Sequence, residues 1–138
     1  MKVLVSACLL GENCKYNGGN NYNPRVIRFL EGKEVVPVCP EMAAGMGVPR
    51  TPVEIANGVI ISKTGENVDA QLREAVASIM AQLDQDIDCA VLQSRSPTCG
   101  VKQIYDGTFS GTRINGSGVF AQALREAGIP LIDAEDVE

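Results

Sequence analysis

Four short apolar runs separated by helix-forming stretches decide which architecture is open to this chain. They cover 1–6, 34–38, 88–93 and 129–133. Each is rich in Val, Leu or Ile and too short for a buried helix, so each reads as a strand. Between the first two, Pro24 suits a first helical position, and Val26, Ile27, Phe29 and Leu30 supply an apolar face that Gly32 ends. Between the second and third, Val68, Leu72, Val76, Ile79, Met80 and Leu83 recur at helical spacing and predict a long amphipathic helix over 67–86. Val119, Phe120, Ala123 and Leu124 mark a further helix ending near Gly128. Strands that alternate with helices pair in parallel, and a parallel sheet is covered on both faces. The expectation is an α/β fold of three layers, with a mainly parallel sheet of about four or five strands and helices on both faces. The runs 53–56 and 59–62 flank Asn57-Gly58, a strong hairpin signal, so a small β-hairpin is inserted between the second and third strands. A length of 138 residues suits a single α/β domain over 1–138. Such a domain buries about two thirds of the surface of its unfolded chain.

Composition removes several function classes. Twelve basic against 17 acidic residues leave a net charge of −5, which offers no bulk grip on a nucleic acid polymer or an anionic membrane. No apolar run approaches the roughly 20 residues of a membrane-spanning helix. Aromatic residues are only 4% and Trp is absent, so platforms for stacking a base or sugar are scarce. There is no histidine, which excludes Ser-His-Asp triads, Cys-His pairs and His-ligated zinc together. Val5-Ser6-Ala7-Cys8 has the small-residue form of a lipoprotein box, but only Val3, Leu4 and Val5 separate it from Lys2. A signal needs an apolar stretch of roughly 7–15 residues there. The expectation is a cytoplasmic protein. Its five cysteines, an odd number, then serve as free thiols or metal ligands rather than disulfides.

Three of those cysteines share a topological position. Cys8 lies two residues past the first strand, Cys39 directly past the second, and Cys99 six past the third, in a loop over 94–100. Ligands of open α/β sheets bind outside the carboxyl ends of the strands, so three thiols reach one rim. Cys89 lies inside the third strand and reads as a small core residue. Paired zinc knuckles are absent, and Cys8 and Cys14 are six apart, too wide for one. Converging thiolates suit a soft metal or an iron–sulfur cluster. A cluster held by three cysteines keeps one iron open as a Lewis acid. Three buried thiols without a metal are the plain alternative.

Other candidates surround them. Glu41 follows Cys39 by two residues; beside a cluster it can move a proton to or from water, and otherwise it meets a helix dipole. Ser96 starts the turn leading to Cys99, where it orients water or substrate, or caps the turn. Lys15, Arg50, Arg95 and Lys102 fall in loops expected near the rim. There they would offset cluster charge, meet an anionic substrate, or only be solvated. Gly116-Ser117-Gly118-Val119-Phe120-Ala121 matches a dinucleotide fingerprint, with Asp133 17 residues after Gly116. The strand that should precede it is poor, and the glycines also fit a plain helix start. Gly58 to Thr64 superficially resembles a P-loop, but Ser62 stands before Lys63 where glycine is needed.

The motifs form an ordered set along nearly the whole chain. They are Ser6-Ala7-Cys8-Leu9-Leu10-Gly11, Cys14-Lys15-Tyr16-Asn17-Gly18, Val38-Cys39-Pro40-Glu41 and Gly47-Val48-Pro49-Arg50-Thr51-Pro52. Ser94-Arg95-Ser96-Pro97-Thr98-Cys99-Gly100, Tyr105-Asp106-Gly107-Thr108-Phe109-Ser110-Gly111 and Gly116-Ser117-Gly118-Val119 complete it. In this set the chain resembles the small bacterial family that contains the thiouracil desulfurases, long described as a domain of unknown function. The resemblance implies an oxygen-sensitive [4Fe–4S] cluster held by Cys8, Cys39 and Cys99. Its unligated iron takes the sulfur of a thiolated nucleobase. Cys14 falls in a family-like motif without an implied role. The expected function is therefore an iron–sulfur-dependent desulfurase acting hydrolytically on a small thiocarbonyl compound. In it Glu41 takes a proton from the attacking water and Ser96 holds the water or the ring. A small molecule is the expected partner; the oligomeric state has no signal in the sequence. The competing expectation is a non-catalytic metal- or redox-sensing module using the same cysteine rim. Glu41 and Ser96 separate the two, because a sensor has no need of a proton-transfer group beside the cluster.

Overall fold

The computed structural model describes residues 1–138. β1 (Lys2–Ser6) is buried from its second residue onward. A single 3-10 turn, Ala7–Leu10, follows and ends on Gly11 at φ +96, a left-handed backbone that glycine adopts without steric cost. α1 (Pro24–Leu30) starts from Asn23, whose side chain accepts the N–H groups of Arg25 and Val26. β2 (Glu34–Val38) leads through Cys39 into the one-turn helix α2 (Pro40–Ala43). β3 (Val53–Ala56) and β4 (Val59–Ser62) form the Asn57-Gly58 hairpin, with both turn residues at positive φ. The remaining elements are α3 (Asp69–Gln82), β5 (Cys89–Leu92), β6 (Gln103–Tyr105), β7 (Arg113–Asn115), α4 (Val119–Glu126), β8 (Leu131–Asp133) and a second 3-10 turn, Ala134–Asp136.

The central sheet has four strands in the order β2-β1-β5-β8, and every pairing is parallel. Its register sets Ser6 opposite Val38 and Val5 opposite Val91, so β1, β2 and β5 end together. The step from β1 to β2 runs one way across the sheet; the steps from β2 to β5 and from β5 to β8 run the other way. Right-handed crossovers then put α1 on one face and α3 and α4 on the opposite face. Val3, Val5 and Val91 pack with Val26 and Leu30 on the first face. Leu4, Ala90 and Leu92 pack with Val76, Phe120 and Leu124 on the second. Burying each large apolar side chain contributes about 1.5–3 kcal/mol. A smaller cluster of Ile60, Val68 and Leu72 seats the β3–β4 hairpin against α3. No helix is long and apolar enough to cross a membrane. The three-layer α/β architecture expected from the sequence is the one observed.

Two elements differ from expectation. α3 is shorter than 67–86 at both ends. Asn67 turns its side chain to accept the Asp69 N–H, and Leu83 leaves the helix in an extended conformation. Beyond it, Asp84 and Asp86 meet Lys2. The β6–β7 hairpin was not expected. Its second strand is exposed at all three residues, so no apolar alternation marks it.

The dinucleotide alternative is corrected by the same region. The strand before the glycines belongs to that antiparallel hairpin and not to the central sheet. A Cβ on Gly118 would stand 2.4 Å from the Thr98 carbonyl oxygen. The first N–H groups of a helix lack intrahelical partners. In α4 the Val119 N–H donates to the Pro97 carbonyl, and the Phe120 and Ala121 N–H groups donate to that of Thr98. The glycine thus lets the loop around Thr98 plug onto the helix start, leaving no room for a pyrophosphate. Asp133 is buried and accepts the Ser94 hydroxyl and the Glu135 N–H, so it has no ribose to bind. Gly118→Ala should therefore cost about 1–3 kcal/mol by overpacking. Urea unfolding measures this, and an unchanged midpoint would remove the glycine's packing role.

Candidate active site

Each cysteine beyond a strand end is aimed by local structure. Cys8 sits in the 3-10 turn after β1; its carbonyl accepts the N–H groups of Gly11 and Asn21, and the Asn21 side-chain amide donates to its sulfur at 3.4 Å. Cys39 is the extended residue that starts α2. Cys99 is held by the turn that Ser96 closes. The Ser96 hydroxyl accepts the N–H groups of Thr98 at 3.1 Å and Cys99 at 3.0 Å. These three thiols, with Cys14, Glu41 and Ser96, line one cavity of about 530 Å³. Cys89 lies elsewhere, packed in the core against the α1 face of the sheet.

Cys14 is buried in the loop before α1 and stands within hydrogen-bonding reach of Cys39. Arg50 fixes that loop: its guanidinium donates to the Cys14 carbonyl at 2.7 Å and to the Gly47 carbonyl at 2.8 Å. Lys15 and Arg95 also reach the cavity, and Arg95 is paired with Glu135. Lys102 does not line it; its ammonium is paired with Asp136, which corrects the expectation that it lies at the rim.

Glu41 is 9% exposed. Its helix has only four residues, so a macrodipole is a minor influence. The carboxylate instead turns toward the thiols. Oε1 accepts the Thr98 hydroxyl at 2.7 Å, and Oε2 lies 3.7 Å from the Cys39 sulfur. Thr98 has one hydroxyl proton, which goes to Glu41, so Ser96 is the donor in the 3.0 Å contact between their hydroxyls. The result is a directed chain from Ser96 to Thr98 to Glu41. Two backbone N–H groups and one donated proton saturate Ser96.

Electrostatics keep these thiols neutral when no cation is near. Burial pushes the Cys99 thiol up to about 12, with the Glu41 charge adding to the effect. Burial and then Glu41 raise Cys39 strongly as well. Cys8 is raised by burial against the opposing Asn21 hydrogen bond, and Cys14 by burial against the hydrogen bond with Cys39. Thiolates gathered here without a cation would be costly; a bound cationic metal reverses that sign. No three Cys, Asp or Glu side chains group tightly enough for a single metal ion. A centre larger than one ion can take its donors from thiols spread around a cavity.

Thr98 escaped the sequence reading. It is fully buried and 57 residues from Glu41, and only its place beside Cys99 hinted at a role. Thr98→Val leaves a buried carboxylate oxygen without its donor and should lose about 1–3 kcal/mol, which Thr98→Ser should largely restore. Urea unfolding of the reduced, iron-free protein measures both. Equal stability of the valine variant would show that the contact contributes nothing.

A parallel α/β sheet delivers thiols from three strand ends, with a carboxylate among them, to one cavity, and the family and solved structure that the chain matches make it an enzyme rather than a sensing module. The chain belongs to the 2-thiouracil desulfurase family, whose model matches residues 3–136. It is 35% identical over 146 residues to the uncharacterized protein YbbK of Bacillus subtilis (strain 168), covering 98% of this chain and 97% of that one. It also matches the solved structure of the [4Fe–4S]-dependent thiouracil desulfidase TudS. That match has a TM-score of 0.87 and 33% identity, over 97% of this chain and 91% of that chain.

Proposed function

We propose that this enzyme is a [4Fe–4S]-dependent desulfurase that hydrolyses a small thiocarbonyl compound of the thiouracil type. The supporting observation is the convergence of Cys8, Cys39, Cys99 and the Glu41 carboxylate on one cavity. Those three cysteines are the residues that would hold the cluster. When bound, the cluster supplies a thiophilic iron that polarises the carbon–sulfur bond and stabilises charge building on sulfur. The reaction balances as thiocarbonyl plus water giving carbonyl plus hydrogen sulfide, with no net electron transfer.

The chain's own groups supply the rest. Glu41 is the general base: its Oε2 takes a proton from the attacking water while Thr98 holds Oε1. Ser96 enters as a positioning residue, acting on Glu41 through Thr98 and on Cys99 through the turn. Asn21 orients the Cys8 sulfur. A cytoplasmic location and a single domain over 1–138 accompany this reading, because an oxygen-sensitive cluster needs a reducing compartment. The test is an anaerobic screen of thiolated pyrimidines and purines for sulfide release by reconstituted protein. Stoichiometric release with the matching oxo product is expected. A loaded protein that releases no sulfide from any of them, or that consumes reductant stoichiometrically, overturns the hydrolytic desulfurase.

A further inference from the structure

Aromatic residues are few, but they are not dispersed. Of three Tyr and three Phe in the chain, Tyr16, Tyr105 and Phe109 line the cysteine cavity. Phe109 is carried at the tip of the β6–β7 hairpin with φ +57. A bulky side chain rarely adopts that left-handed backbone, and such strain persists only where the surroundings over-determine it. Here they do. Glu54 on β3 accepts the N–H groups of Gly107 at 3.0 Å and Phe109 at 3.2 Å through one carboxylate oxygen. Gly107 sits so close to β3 that a Cβ would lie 2.6 Å from the Ala56 Cβ. The tip is therefore clamped to the β3–β4 hairpin, with a half-buried ring at the cavity.

We propose that Phe109, positioned by Glu54 and sharing the cavity lining with Tyr105 and Tyr16, is the specificity-determining residue of the site. It stacks on a planar conjugated ring and so selects heterocyclic over acyclic thioamides. An aromatic face discriminates in this way because stacking needs a flat partner but no particular hydrogen-bond pattern. The inference rests on the desulfurase reading for its substrate and on the clamped tip for its residue.

The test compares 2-thiouracil with thiourea on the cluster-loaded protein, and separately measures uracil binding by equilibrium dialysis. Phe109→Leu should lower the ratio of kcat/KM for 2-thiouracil to that for thiourea by about 5- to 150-fold, the range for losing one stacked ring. It should weaken uracil binding by a similar factor. Phe109→Tyr should restore both, and Glu54→Ala, which frees the tip, should reproduce part of the loss. A selectivity ratio that stays at the wild-type value in Phe109→Leu overturns the proposal. Failure of the desulfurase reading shows differently, as wild-type protein that releases no sulfide from either compound. Uracil dialysis then decides alone, and equal binding by wild type and Phe109→Leu overturns the aromatic wall.

Discussion

Replacing Cys8, Cys39 or Cys99 singly with serine should abolish cluster loading and sulfide release, whereas Cys89→Ala should leave both in place. Protein prepared without oxygen should be brown and carry about four iron and four sulfide per chain. The three thiols come from three different strand ends and meet only at one cavity, so no neighbour in sequence can replace a missing one. Serine keeps the size but lacks the soft sulfur donor that iron in such clusters requires. Cys89 packs on the α1 face of the sheet among Val3, Val5 and Val91, away from the cavity, so its loss is a small core defect. Cys14 gives the experiment its resolving power. It lines the same cavity and stands beside Cys39, but it comes from a loop pinned by Arg50 and not from a strand end. Iron and sulfide analysis of all five variants is the measurement. Loss of iron in Cys14→Ser together with full retention in Cys8→Ser would overturn the ligand assignment.

Glu41→Gln should keep the brown cluster and lower turnover by about 10²–10⁴-fold, the usual effect of removing a general base. Glutamine preserves the shape and still accepts the Thr98 hydroxyl through its amide oxygen. What it lacks is the ability to take a proton. The loss should therefore fall on kcat, with cluster content unchanged. Steady-state kinetics under anaerobic conditions, normalised to iron, provide the test. A loaded variant that turns over at the wild-type rate reduces Glu41 to a residue at the start of a short helix. The Thr98 contact would then be structural only.

The cysteine rim was legible because it follows from local rules. Strand ends can be read from apolar runs of four to six residues, and a parallel sheet brings those ends to one side. Cys8 and Cys39 lie at the ends of such runs, and Cys99 follows a third, so their meeting needed no side-chain detail. Cys89 was separable from them for the same reason. The Asn57-Gly58 hairpin and the Pro24 helix start were equally local, since turn and cap preferences act within a few residues.

The rest depended on contacts between distant segments. The 116–121 glycines serve a plain helix start and not the dinucleotide alternative, because a glycine permits close approach of any backbone. Only the fold shows that the approaching backbone is that of Thr98. Low aromatic content makes stacking platforms scarce, yet three of the six rings line the cavity from separate segments. The β6–β7 hairpin lacks an apolar repeat because its second strand faces solvent; its place is set by Glu54 and Ala56 on another element. The amino-acid sequence by itself determined the layered sheet, the hairpin and the side of the sheet where thiols gather, because periodicity and turn chemistry act over a few residues. Tertiary structure alone decided that Thr98 holds Glu41 and that Glu54 holds the Phe109 tip. Those contacts span 57 and 55 residues, and nothing in a local pattern encodes which distant partner a buried hydroxyl or carboxylate will meet.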